Sequence, residues 1–230
     1  MRRFPTDGIT DDSLGVNDAL GFPIFQTPVQ FSVGRPVRWA DPAHITVTSV
    51  AFNYPQDAQN SPPFTQPLTV QEANLLVAAA HAWEIVSNVH FQYVPDTPTL
   101  SNAPDIRVGL AALSQNLNPS RMTFQGGSSI LGSTSTYWDG NNRYIPGTTL
   151  AVEDPASRPV VSLPNGDLQY IGTSATMFQD FMHEMGHALG LQHNSDPTSI
   201  MNPVIGASNR LPNLADIIAI QSLYGPPQVV

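Results

Sequence analysis

The chain of 230 residues contains no cysteine and no lysine; all nine basic residues are arginine. Without thiols, disulfides play no part in stability, and the redox compartment cannot be read from cysteine usage. The missing lysines have two readings: codon bias in a GC-rich genome, or a chain selected to escape ubiquitination inside a host cell. Charge of either sign is scarce, at 12% of residues, and the balance is acidic, at -9. That balance argues against nucleic acid as a partner, and it would help retain calcium, which favours carboxylate oxygens. No apolar run approaches the ~20 residues of a membrane span. Met1-Arg2-Arg3 is basic, but no apolar stretch follows, so no signal peptide is visible. Nor is there a linker that would divide the chain. We expect residues 1–40, rich in Pro, Gly and Asp, to form an extended arm or pro-segment. Residues 41–230 should form one domain, with an N-terminal part to about residue 190 and a C-terminal part over 191–230.

What the chain does have is concentrated in one stretch, Phe181-Met182-His183-Glu184-Met185-Gly186-His187-Ala188-Leu189-Gly190-Leu191-Gln192-His193. It contains His-Glu-x-x-His-x-x-Gly-x-x-His. Residues four apart on a helix share a face about one turn apart. His183 and His187 can therefore offer two imidazoles to one tetrahedral zinc ion. Glu184, beside the first histidine, leans over the same point and can take a proton from water held there. Gly190 lets the chain leave the helix through the left-handed backbone other residues resist. The turn brings His193 round as a third ligand and leaves the fourth position open. Three histidines and a glutamate on an apolar helix would be costly to bury without a metal.

The stretch resembles the zinc signature of the metzincin metallopeptidases. Its continuation, His193-Asn194-Ser195-Asp196-Pro197-Thr198-Ser199-Ile200-Met201-Asn202-Pro203, is similar to the matrixins and their serralysin relatives, as is Asp216-Ile217-Ile218-Ala219-Ile220-Gln221-Ser222-Leu223-Tyr224-Gly225. The resemblance implies a metzincin-like α/β (α+β) domain: a twisted, mixed five-stranded sheet with two long helices, then a small C-terminal subdomain ending in a helix. It implies a secreted, extracellular zinc-dependent endopeptidase with one catalytic ion, acting on proteins or peptides, with Glu184 as general base and then acid. A monomer is expected. Met201 would lie in the methionine turn beneath the metal, as an apolar floor and not a ligand; plain core packing is the other reading. Pro203 stands where serralysins and astacins carry a tyrosine, so three protein ligands are implied. Pro203, Val204 and Ile205 would wall the pocket for the residue after the cut bond, favouring a hydrophobic side chain. Leu131 and Gly132 would lie on the strand that pairs with substrate backbone, as exposed strand edges do. No histidine occurs between residues 91 and 182, so the second, structural zinc site of matrixins cannot exist here in that form. A cysteine-switch latency mechanism is excluded as well. Two other functions stay open: a zinc-holding, peptide-binding pseudoenzyme, and an effector or toxin protease of narrow specificity.

Elsewhere, Phe4-Pro5-Thr6-Asp7-Gly8 either resembles the zinc-binding aspartate of astacin-like zymogens or is an ordinary turn. Residues 45–54 read as the first strand, and 55–67 as a loop. Thr69-Val70-Gln71-Glu72 is a capping box opening a helix to about Asn88. Ala73, Leu76, Ala80, Trp83 and Val86 form its core face. His44, His81 and His90 read as surface or hydrogen-bonded histidines. Residues 91–94, 106–110, 128–138, 148–152 and 160–163 read as strands. Asp139-Gly140-Asn141-Asn142 is a turn whose oxygens could also ligate calcium. The active-site helix is expected to start near Thr173 or Ser174, and Asn213 with Asp216 to open the last helix. Asp216 either ties that helix to the methionine turn or serves the helix dipole.

Overall fold

The computed structural model describes residues 31–32, 35–53, 61–97, 102–113 and 131–228. The segment Phe4-Pro5-Thr6-Asp7-Gly8, most of the expected arm, and residues 128–130 of one expected strand lie outside them. The elements run β1 (Phe31–Ser32), β2 (Arg35–Pro36), a 3-10 turn (Pro42–His44), β3 (Ile45–Ser49), β4 (Phe64–Gln66), α1 (Val70–Val86), β5 (Phe91–Tyr93), β6 (Ile106–Ala111), β7 (Gly132–Ser135), β8 (Thr148–Glu153), β9 (Val160–Ser162), β10 (Leu168–Tyr170), α2 (Met177–Ala188) and α3 (Leu214–Tyr224).

The main sheet has the order β5-β3-β6-β8-β7. Its first four strands are parallel and β7 runs antiparallel along β8. Five strands were expected on this path. A sixth, β4, pairs antiparallel with the end of β6, inside what the sequence reads as a loop. Every residue of β6 and β8 is buried, as parallel strands covered on both faces must be. The first strand is shorter than expected: pairing stops at Ser49, one further amide (Val50) bonds to Val108, and Phe52 is exposed.

Helix α1 opens with the expected box, in which Thr69 and Glu72 exchange hydrogen bonds. It buries Leu76, Ala79, Ala80 and Trp83 against α2, and the Trp83 indole donates to the Met182 carbonyl at 2.9 Å. Helix α2 begins later than expected. Thr176, not Thr173 or Ser174, is its cap, because Gln179 reaches back to complete a capping box. Thr173 instead closes the preceding turn, donating to the Tyr170 carbonyl.

At its far end α2 stops in a Schellman arrangement. Leu191 N–H bonds to the Gly186 carbonyl, Gly190 N–H to that of His187, and Gly190 adopts φ +102. Two of the last carbonyls, which a helix cannot satisfy itself, are taken by distant side chains. The Trp39 indole donates to Ala188, and the Tyr224 hydroxyl to Leu189. Val37 and Trp39 are thereby part of the core, fastened to α2 and α3. Among the described residues no helix is long and apolar enough to cross a membrane.

Candidate metal centre

Helix α2 places His183 and His187 one turn apart, and the left-handed exit at Gly190 returns the chain so that His193 faces them. The three rings stand 4.7, 5.3 and 4.9 Å apart between centroids. One ligand nitrogen from each lies within 4.8 Å of the other two. The tautomers follow from the partners. His183 Nδ1 sits 2.7 Å from the Ile200 carbonyl and His187 Nδ1 2.8 Å from that of Leu191. A carbonyl only accepts, so each Nδ1 carries the hydrogen and each Nε2 presents a lone pair. Those two Nε2 atoms face each other at 3.1 Å. Two lone pairs held that close call for a shared cation.

The electrostatics agree with a neutral donor set. Burial, then the neighbouring His193, brings His183 down to about 4. His187 lies well below its ordinary value, through burial and then the other two rings, and His193 at the rim is lowered by partial desolvation. All three are free bases at neutral pH, the form a metal binds. The donor chemistry, three imidazoles with an approach left open, fits a zinc ion.

Glu184 lies beside the triad and is almost wholly buried. Burial pushes its carboxyl up to about 8, against which a hydrogen bond from Thr134 works. The Thr134 hydroxyl lies 2.6 Å from Glu184 Oε2 and 3.1 Å from the Glu184 carbonyl. Asp180, one turn earlier on α2, is also buried. Burial first and the charge of Glu184 second hold its carboxyl well above the usual range, and it accepts a 2.7 Å hydrogen bond from the Tyr170 hydroxyl. Gly132 on β7 passes so close to both carboxylates that a Cβ there would collide with Glu184 and Asp180. Only glycine allows that approach. Leu131, just before β7, spends its carbonyl on the Glu153 amide.

Met201 is fully buried beneath α2, its sulfur against Gly186, where a Cβ would strike it and also meet Trp83. The turn around Met201 is held by Asp216, the third residue of α3. Its carboxylate accepts from Ser199 Oγ at 2.5 Å and from the Ile200 amide at 2.9 Å. Of the two readings of Asp216, the tie to this turn is therefore present, within the capping box formed with Asn213. Pro203 and Val204 are exposed, and Ile205 is half-buried against the core. The side chain of Asn209 holds this segment through the carbonyls of Ser199 and Val204 and the amide of Gly206. Gln179 of α2 donates to the carbonyls of Gly206 and Asn209.

The sequence reading missed Thr134, Asp180, Tyr170 and Asn209; Thr134 meets Glu184 across 50 positions, while Tyr170 and Asp180 are 10 apart. His44 and His81 are exposed and bonded to Asp41 and Glu84, and His90 is exposed. The Asp139 carboxylate is engaged by its own turn, accepting from the amides of Asn141 and Arg143.

Comparison with known families agrees with the geometry. The matrixin family model matches residues 59–225. The chain belongs to the matrixin family of metalloendopeptidases. It is 29% identical to matrix metalloproteinase-16 of Rattus norvegicus over 159 residues, 66% of this chain and 23% of that protein. Macrophage metalloelastase of Oryctolagus cuniculus is 45% identical over 62 residues, covering 26% and 13% of the two chains. Matrilysin of Felis catus is 52% identical over 46 residues, 19% and 18% of them. The match thus spans about a quarter or less of each relative. The family implies zinc, and the triad of this matrixin fits it.

Proposed function

We propose that the chain is a zinc-dependent endopeptidase in which His183, His187 and His193 hold one ion and Glu184 moves the proton. The observation that carries this reading is the convergence of lone-pair nitrogens beside a buried carboxyl group. Zinc, when bound, supplies Lewis acidity that polarises a carbonyl and acidifies water. The chain's own groups do the rest. The Nδ1 hydrogen bonds to Ile200 and Leu191 fix the orientation of the first two imidazoles, as outer-shell partners of ligand histidines do. Glu184, in its ionised form, accepts the proton of the attacking water and returns it to the leaving amine. Met201 supports the site from below.

An extended substrate would lie along β7, the edge of the sheet, with its main chain pairing near Leu131 and Gly132. Pro203, Val204 and Ile205 would flank the side chain after the cut bond and favour a hydrophobic residue there. A monomer acting outside the cell on proteins or peptides completes the reading.

The test is casein hydrolysis by the zinc-loaded protein, with and without chelator, beside Glu184→Ala. The variant should bind one zinc and lose at least about a hundredfold in rate. Near-normal turnover would refute the role given to Glu184. A peptide library showing a charged preference after the cut bond would refute the pocket assignment.

A further inference from the structure

We propose that Thr134 is the positioning residue for the carboxylate of Glu184, and that β7 carries it so that one strand both receives substrate and fixes the base. This rests on the peptidase reading above. Three observations converge on it. The Thr134 hydroxyl is 2.6 Å from Oε2, a short contact, and no other side-chain hydrogen bond to that carboxyl group is found among the described residues. The same hydroxyl is 3.1 Å from the Glu184 carbonyl, so the side chain is registered against the helix backbone as well as the carboxylate. Two residues earlier on the same face of β7, Gly132 leaves no room for a Cβ against the same carboxylate. The strand therefore approaches α2 as closely as a strand can, and its register is fixed by the pairing of Thr134 with Leu150 and Gly132 with Val152 on β8.

The arrangement has a chemical advantage beyond placement. A hydroxyl has one hydrogen and can rotate it. While Glu184 is ionised, Thr134 donates to Oε2. Once Glu184 has taken a proton from water on its other oxygen, Thr134 goes on donating to Oε2, which is then the carbonyl oxygen of the carboxyl group. The buried base stays hydrogen-bonded in both forms, and no group needs to move to keep it so.

Valine has the shape of threonine without the hydroxyl, and serine keeps the hydroxyl without the methyl. We therefore compare Thr134→Val and Thr134→Ser with wild type in the full chain, measuring kcat and KM on a peptide substrate, zinc per chain, and the melting temperature. Losing a hydrogen bond to a charged group corresponds to about a 10- to 100-fold effect. Thr134→Val should lose about that much in kcat, with KM within about twofold and one zinc retained, and Thr134→Ser should recover most of it. The proposal is overturned if Thr134→Val keeps its kcat, if Thr134→Ser is as slow as Thr134→Val, or if the loss follows lost zinc or lost folding in both variants. An inactive zinc-loaded wild type would instead overturn the peptidase reading itself, so the two failures are separable.

Discussion

Replacing Asp216 with alanine should disturb the histidine cluster from helix α3. Its carboxylate is fully buried and accepts from three donors: Ser199 Oγ, the Ile200 amide and the Asn213 amide, at 2.5, 2.9 and 2.9 Å. Alanine removes the acceptor and leaves the donors behind, two of them in buried surroundings. A hydrogen bond to a charged group contributes about 1.5–3 kcal/mol, and a stranded buried donor costs about 1–3 kcal/mol. Allowing for relaxation and water entry, the sum is about 3–5 kcal/mol, a large share of the stability of a domain this size. For a chain of this length each kcal/mol moves the melting point by about 2–4 °C, so a fall of about 10 °C is expected. The metal should respond too. Ile200 gives its amide to Asp216 and its carbonyl to His183 Nδ1, so the peptide segment that Asp216 holds is the one that orients the first of the proposed ligands. Loss of such a support weakens metal binding about 10- to 100-fold. Competition with a chromophoric chelator measures that, and calorimetry measures the melting point. Asp216→Asn keeps an acceptor and should fall between the two. An alanine variant that melts within about 2 °C of wild type and holds zinc equally well would refute the linkage from α3 through Ile200 to His183.

Two further outcomes follow from the same geometry. Gly186→Ala improves helix propensity by about 1 kcal/mol but places a methyl group against the buried sulfur of Met201 and 3.1 Å from Trp83 Cζ2. Overpacking should win, with a net loss of about 1–2 kcal/mol in chemical denaturation; a stabilised variant would contradict the close approach. In metal-free protein, Glu184 has a folded pKa of about 8 against an ordinary 4.5. The folded state then binds that proton more tightly than the unfolded one, so this group's contribution is favourable at low pH and is lost as pH rises from about 4.5 through 8. Glu184→Gln removes the titration. The melting advantage of the glutamine variant over wild type should therefore grow between pH 5 and pH 9, towards a few kcal/mol, and an advantage independent of pH would show that the carboxyl is not held in a desolvated site.

The parts of the site that could be read from sequence are those encoded in local spacing. His183 and His187 meet because a helix repeats, Gly190 turns because its backbone can, and Asn213 with Asp216 caps because the box is three residues long. The start of α2 was misplaced because Thr173, Ser174 and Thr176 are all competent caps. The decision fell to Gln179, whose side chain reaches Thr176 and no earlier residue. Strand β4 lies in a stretch dominated by Pro, Asn and Gln, where no strand pattern shows. Thr134 meets Glu184 across 50 positions, and Trp39 meets Ala188 across 149; no local signal marks either pair.

Those distant contacts answer a conflict that the local pattern creates. Helix α2 carries two carboxyl groups on one face at Asp180 and Glu184, an i,i+4 pair that is unfavourable when both are ionised, and it buries both. One turn along, it holds two lone-pair nitrogens at 3.1 Å. Such a helix would be a poor structure alone, and the rest of the fold is arranged around what it lacks. The capping box satisfies its first amides, and Trp83, Trp39 and Tyr224 bond its carbonyls at Met182, Ala188 and Leu189. Tyr170 and Thr134 each hold one carboxyl group. The two groups differ in their hydrogen-bond partners: Asp180 meets Tyr170, while Glu184 meets Thr134 on the edge strand, whose Gly132 lies against both. An arrangement that served stability alone would have placed apolar residues at both positions. Retaining the buried pair, and supporting it from two separate stretches of chain, is what a helix requires when its polar face must act on something outside the fold.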